Sequence, residues 1–177
     1  MAAGQGLDLP SIARAILASV EDHFAASGVQ LPQRRVIAAG APELVAWDCP
    51  MVIVACSGVG TGPAPGVGGA AQQTGRPVAV GARHALFAVQ IVRKHPEATP
   101  VQGSVVPPKP DKITEAGVAH LRDMGLLSQA LVELCSNPTF RDVISGSAEV
   151  GAVSSVGPEG GFSGVQGSIA VTAGYLA

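Results

Sequence analysis

The chain is 177 residues long, carries a net charge of −2 and is 14% charged, against roughly 25% in a typical soluble domain. That length predicts one domain, or one domain with an arm. The charge balance argues against a nucleic-acid binder, because Arg34-Arg35 and Arg93-Lys94 are the only adjacent basic pairs. Mean hydropathy is +0.36, yet no apolar run reaches the ~18 residues of a membrane helix. Met1 to Gly6 has neither a basic nor an apolar region, so no secretion signal is expected. Scarce charge and abundant small apolar residues point to a surface partly covered by neighbours; a compositional bias toward Ala, Gly and Val is the plainer explanation. Cys49, Cys56 and Cys135 form no paired framework and read as free thiols.

Residues 11–27 predict a helix: Ile12, Ile16, Val20 and Phe24 repeat every four residues, beside Leu17. Asp8 or Ser11 can cap its start, and Gly28 suits its end. Strands are predicted over 34–39, up to the break at Gly40-Ala41-Pro42, and over 51–57. From Gly58 to about Gly81 there are eight Gly and three Pro, which predicts an irregular loop or arm. Residues 83–94 form the clearest strand, with Ala85, Phe87, Val89 and Ile91 on one face. Pro96 to Pro110 is proline-rich and is expected to run extended. A second helix is expected to start at Asp111, its cap, and to stop at Asn137-Pro138. Its stripe is Ile113, Gly117, His120, Met124, Leu127, Leu131 and Leu134. Strands over 148–156 and 166–176 close the chain, joined by the turn-forming segment Gly157 to Gly164. The order predicts an α+β fold: a mixed, mainly antiparallel sheet with two helices on one face and a long Gly/Pro-rich loop.

No residue set makes a credible catalytic, cofactor or metal site. The chain lacks the Lys-Ser/Thr pair of a phosphate-binding loop. Gly66 to Ala71 matches G-x-G-x-x-A in letters, but Pro63 and Pro65 stand where a strand is needed, and Gly75 and Pro77 where a helix is needed. His23, His84, His95 and His120 are scattered, and His120 on the helix stripe reads as a half-buried, satisfied side chain. Ser57 and Ser163 lack the G-x-S-x-G elbow. Glu159 is a single acid in a glycine turn. No enzyme, cofactor or metal is therefore expected.

A series of short motifs runs nearly the whole length. It comprises Leu31-Pro32-Gln33-Arg34-Arg35, Ala38-Ala39-Gly40-Ala41-Pro42, Asp48-Cys49-Pro50, Phe87 to Arg93 ending in His95-Pro96, and Gly157-Pro158-Glu159-Gly160-Gly161-Phe162-Ser163-Gly164. Together they resemble the tail terminator (head-to-tail connector) proteins of long-tailed phages that infect actinobacteria. The resemblance implies a mixed sheet with two helices and a homohexameric ring in the virion neck, assembled in the host cytoplasm. It implies as partners the tail tube protein and head-to-tail stopper or connector proteins, with genomic DNA passing through the lumen without sequence-specific binding. It carries no catalytic residues. The near-neutral charge is compatible with a conduit through which DNA must slide. The segments 58–81 and 157–164 are expected to contact neighbouring subunits or rings, through Gly58, Gly60, Gly62, Gly66, Gly68, Arg76, Arg83, Gly157, Pro158, Glu159 and Phe162. The plainer alternative is that both are solvent loops, as loops are by default. Another neck or tail-tube subunit, or a small-ligand α+β domain with the glycine loop as a lid, are the alternatives; an aromatic content of 3% weighs against a ligand pocket.

Overall fold

A computed structural model describes residues 7–42, 48–61, 83–101, 104–159 and 161–173. Chain order is α1 (Leu9–Ala26), β1 (Arg34–Ala39), β2 (Met51–Thr61), β3 (Arg83–Lys94), β4 (Thr99–Val101), β5 (Ser104–Val106), α2 (Pro110–Ser136), α3 (Pro138–Ile144), β6 (Gly146–Val150), β7 (Ser154–Glu159) and β8 (Phe162–Ala173). The fold is α+β, with a mixed, mainly antiparallel sheet.

The main sheet runs β1-β2-β3-β8-β6, and β7 also pairs with β8. Among the described strands only β1 and β2 pair in parallel. The long strands β3 and β8 pair along their full length, from Arg83 opposite Ala173 to Lys94 opposite Phe162. β6 and β7 follow one another along the other edge of β8: Gly146 faces Ala173, Val150 faces Ile169, Ser154 faces Gln166 and Glu159 faces Phe162.

Alternation divides the strand residues between two cores. Val52, Val54, Ala85, Phe87, Val89, Ile91, Val165, Ile169 and Val171 join the stripes of α1, α2 and α3 in one buried cluster. Met51, Ile53, Ala55 and Val92 form a second, with Phe162 packed against it. Each large apolar side chain so buried contributes about 1.5–3 kcal/mol. Helix α1 buries Ile12, Ile16, Val20 and Phe24. The Asp8 carboxylate accepts hydrogen bonds from the Ser11 backbone N–H at 3.2 Å and its hydroxyl at 2.7 Å. Past its end Gly28 takes a positive φ of 67°, and the Val29 N–H returns to the Phe24 carbonyl.

Five expectations need correction. Residues 58–61 are not loop but the end of β2, since Gly58, Val59, Gly60 and Thr61 face Leu86, Ala85, His84 and Arg83. A bulge between Cys56 and Gly58 resets the register, and pairing across the sheet outweighs glycine's poor strand preference. The proline-rich connector contains the β4–β5 hairpin. Helix α2 starts one residue early, at Pro110; Lys109 holds the cap position and Asp111 lies in the first turn. Asn137-Pro138 ends α2 but also starts α3, because the Asn137 side chain accepts from the Thr139 N–H at 2.9 Å and proline suits a first helical turn. At the C-terminal side, the single strand expected over 148–156 is two, β6 and β7, with Gly157 to Glu159 belonging to β7, and β8 begins at Phe162 rather than 166. Residues 62–81 of the expected loop lie outside the described residues.

Candidate functional site

The expected contact residues separate into two groups. Gly58, Gly60 and Arg83 lie together where β2 ends and β3 begins. A side chain at Gly60 would meet the His84 ring at 2.6 Å, so glycine lets the two strands close there. Gly157, Pro158, Glu159 and Phe162 occupy the β7–β8 hairpin, where Gly157 has φ +87° and the Gly157–Pro158 peptide is cis. Pairing of Arg83 with Ala173 and Lys94 with Phe162 puts the groups at opposite ends of β3 and β8. Twelve-residue strands span about 37 Å, so the two sets form no single site. Gly62, Gly66, Gly68 and Arg76 lie outside the described residues.

Beside the β7–β8 hairpin sits a polar cluster that ties three elements together. Asp123 of α2 is 3% exposed and is gripped by both ends of the Arg93 guanidinium: Nε on Oδ2, and Nη2 on Oδ1 at 3.0 Å. The same guanidinium donates to the Gln30 carbonyl, 3.2 Å from each terminal nitrogen. One bidentate pair thus fixes β3, α2 and the segment after α1. His95 completes the corner: its backbone N–H bonds to the Gly161 carbonyl at 2.7 Å, and its Nδ1 lies 3.3 Å from the Ser163 hydroxyl. Nε2 of His120 is buried without a hydrogen-bond partner among the described residues. Burial pushes the His120 imidazole below its ordinary value near 6.5, against the opposing pull of Asp123. His120 is therefore not the satisfied side chain expected of it. Nothing in the sequence marked Arg93 and Asp123 as a pair, although Asp123 falls four residues before Leu127, on the buried side of α2.

The arrangement is that of a brace. Two groups of a nucleophilic triad stand near each other in Ser163 and His95, but at 3.3 Å the contact is loose, and the nearest buried carboxylate, Asp123, is held by Arg93. Burial pushes the Cys56 and Cys135 thiols up, away from the reactive thiolate. Among the described residues no three His, Cys, Asp or Glu side chains gather as a ligand set, and no helix is long and apolar enough to cross a membrane.

The more unusual chemistry is on the surface. Every residue of β4 and β5 is exposed, including Val101, Val105 (72%) and Val106. None of the first thirteen residues of α2 is fully buried; Ala116, Ala119 and His120 are half-buried, and the first fully buried residue is Asp123. Ile113, Val118 and Leu121 (69%) stand in solvent there. At the other end of α2 lies an open groove of about 470 Å³ between α1 and α3. Ala15, Ala18, Phe140 and Val143 line it, with Asp22 and Glu133 among its lining acids. The His23 ring reaches Glu133 at 3.0 Å and Gln129 at 3.4 Å across this groove. Sequence periodicity could not reveal the exposed half, because Ile113 and Gly117 continue the same stripe that Leu127 and Leu131 bury. No protein-family model matches the chain, and no curated protein matches it.

Proposed function

We propose that the chain is a structural subunit of a phage neck: a ring, six-membered by the resemblance, that terminates the tail tube and joins the tail to the head while DNA passes through its lumen. The observation that carries this reading is the exposed apolar unit formed by the β4–β5 hairpin and the first half of α2. A 27-residue helix with no fully buried side chain over its first three turns gains little there from its own chain, since helices in water draw most of their stability from packing. Such a unit suits a subunit that finishes its core on a neighbour. The ordered motifs from Leu31 to Gly164 supply the identity of the assembly. In this reading the chain has no catalytic role or cofactor, and its partners are itself, the tail tube protein and the stopper or connector proteins. The two separated contact groups, Gly58–Arg83 and Gly157–Phe162, then sit at opposite ends of the sheet, as needed to meet one ring on each side.

Electron microscopy of tail tubes polymerised with and without the chain tests this. A terminator caps one end of each tube and stops its growth. A chain that polymerises into tubes alone is a tube subunit instead. A monomer or dimer that ignores tubes and gains stability from a small ligand belongs to the ligand-binding alternative.

A further inference from the structure

The β4–β5 hairpin offers apolar side chains with no cover, and the α1–α3 groove offers an apolar concavity with an acidic rim. We propose that the hairpin of one subunit seats in the α1–α3 groove of a second copy of this chain. The proposal rests on the ring reading above and names the contact that builds the ring.

Three observations favour this occupant. First, the surfaces match in character. The hairpin presents Val101 and Val106 on one face and Val105 on the other, and the groove presents Ala15, Ala18, Phe140 and Val143. Second, the charges are complementary. Lys109, three residues beyond the hairpin, makes no ion pair among the described residues, and neither does Asp22 on the groove. Third, the hairpin cannot reach its own groove. It joins the start of α2, whereas the groove lies at the end of α2, by Glu133 and Leu134. A 27-residue helix is about 40 Å long, and three-residue strands extend only about 10 Å. A contact between unlike patches at the two ends of a subunit closes into a ring or continues as a filament when it runs head-to-tail, and is made twice when it lies across a two-fold axis; the ring reading requires the first arrangement.

The test uses the full chain. Two variants, Val105→Cys and Ala18→Cys, both at exposed positions, are mixed under mild oxidation beside a wild-type mixture that controls for Cys49, Cys56 and Cys135. A mixed disulfide between the two variants, at least tenfold above the control, is expected, since bridging needs the two Cα atoms within about 7 Å. A charge exchange gives a second readout. Lys109→Glu and Asp22→Lys each reduce the assembled fraction, and the double variant restores it. Rings that form normally with no mixed disulfide and no charge rescue would overturn the contact and leave the ring reading intact. A wild-type chain that stays monomeric, even beside tail tubes, would overturn both.

Discussion

Helix α2 is two helices in energetic terms. Its second half lays Leu127, Ala130, Leu131 and Leu134 into the main core and leaves one large apolar side chain, Val132, exposed. Its first half carries Ile113, Val118 and Leu121 into solvent. Both halves have apolar residues at helical spacing, and Asp123, clamped by Arg93, marks the junction. The difference teaches that apolar periodicity reports a buried face without saying whose residues bury it. In the second half the partner is the chain's own sheet, where a side chain at Gly167 would meet Leu131 at 2.8 Å. In the first half Ile113, Val118 and Leu121 lack such cover within the described residues, and in our account a neighbouring subunit supplies it.

Substitutions should separate the halves. The largest effect is expected for Leu131→Ala, which opens a cavity in the core and costs about 2–5 kcal/mol in urea unfolding. Leu121→Ala should change subunit stability by less than about 0.5 kcal/mol and instead weaken assembly. Equal losses in the two variants would erase the distinction between halves. At the junction, Asp123→Ala strands the Arg93 guanidinium. Arg93 is 30% exposed and Asp123 4%, so the cost should fall between that of surface and buried pairs, at about 2 kcal/mol. Asp123→Asn, which keeps part of the hydrogen bonding, should cost less; if it costs more, the clamp is not what holds the junction.

Gly117 and Gly125 sharpen the comparison in the opposite direction. A methyl group at either meets nothing within 4 Å, so Gly→Ala should stabilise the subunit by up to about 1 kcal/mol through helix propensity. Thermal unfolding of the dilute chain checks this. A destabilised Gly125→Ala subunit would mean that the outer face of α2 is already occupied.

The smallest effect is that of pH at the junction. His120 titrates below its ordinary value when folded, because burial disfavours the cation. The unfolded chain therefore binds more protons near pH 6, and stability rises with pH there. The contribution is fully present above about pH 6.5 and is lost as pH falls through the lower folded value. Urea midpoints measured from pH 7 down to 5 should fall less steeply in His120→Leu than in the wild type. Parallel slopes would show that another group sets the acid dependence.

What was legible in the sequence follows the range of the interactions. α1, with its Asp8 cap and Gly28 stop, and strands β1 and β3 were readable at or near their observed limits, because local alternation and local breaks define them. The end of β2 was not, since Gly58 and Gly60 are strand residues only through partners about 25 positions away on β3. α3 was hidden because Asn137-Pro138 signals a helix stop and a helix start with the same two residues. The brace was hidden for a similar reason: Arg93 and Asp123 are 30 residues apart, and each alone reads as a solvated charge. Of the expected contact residues, Gly58, Gly60 and Arg83 share one end of the sheet and Gly157 to Phe162 the other, a division that only the β3–β8 register reveals. The apolar hairpin went unseen because its prolines suggested an extended connector.

The most direct measurement is hydrogen exchange along α2, comparing dilute subunits with assembled material of the same chain. The account predicts slow exchange over residues 127–134 in both states. Over residues 110–122 it predicts fast exchange when dilute and at least about tenfold slower exchange on assembly. Assembly that leaves residues 110–122 as fast as in the free subunit would contradict it, and would move the subunit contact away from this helix.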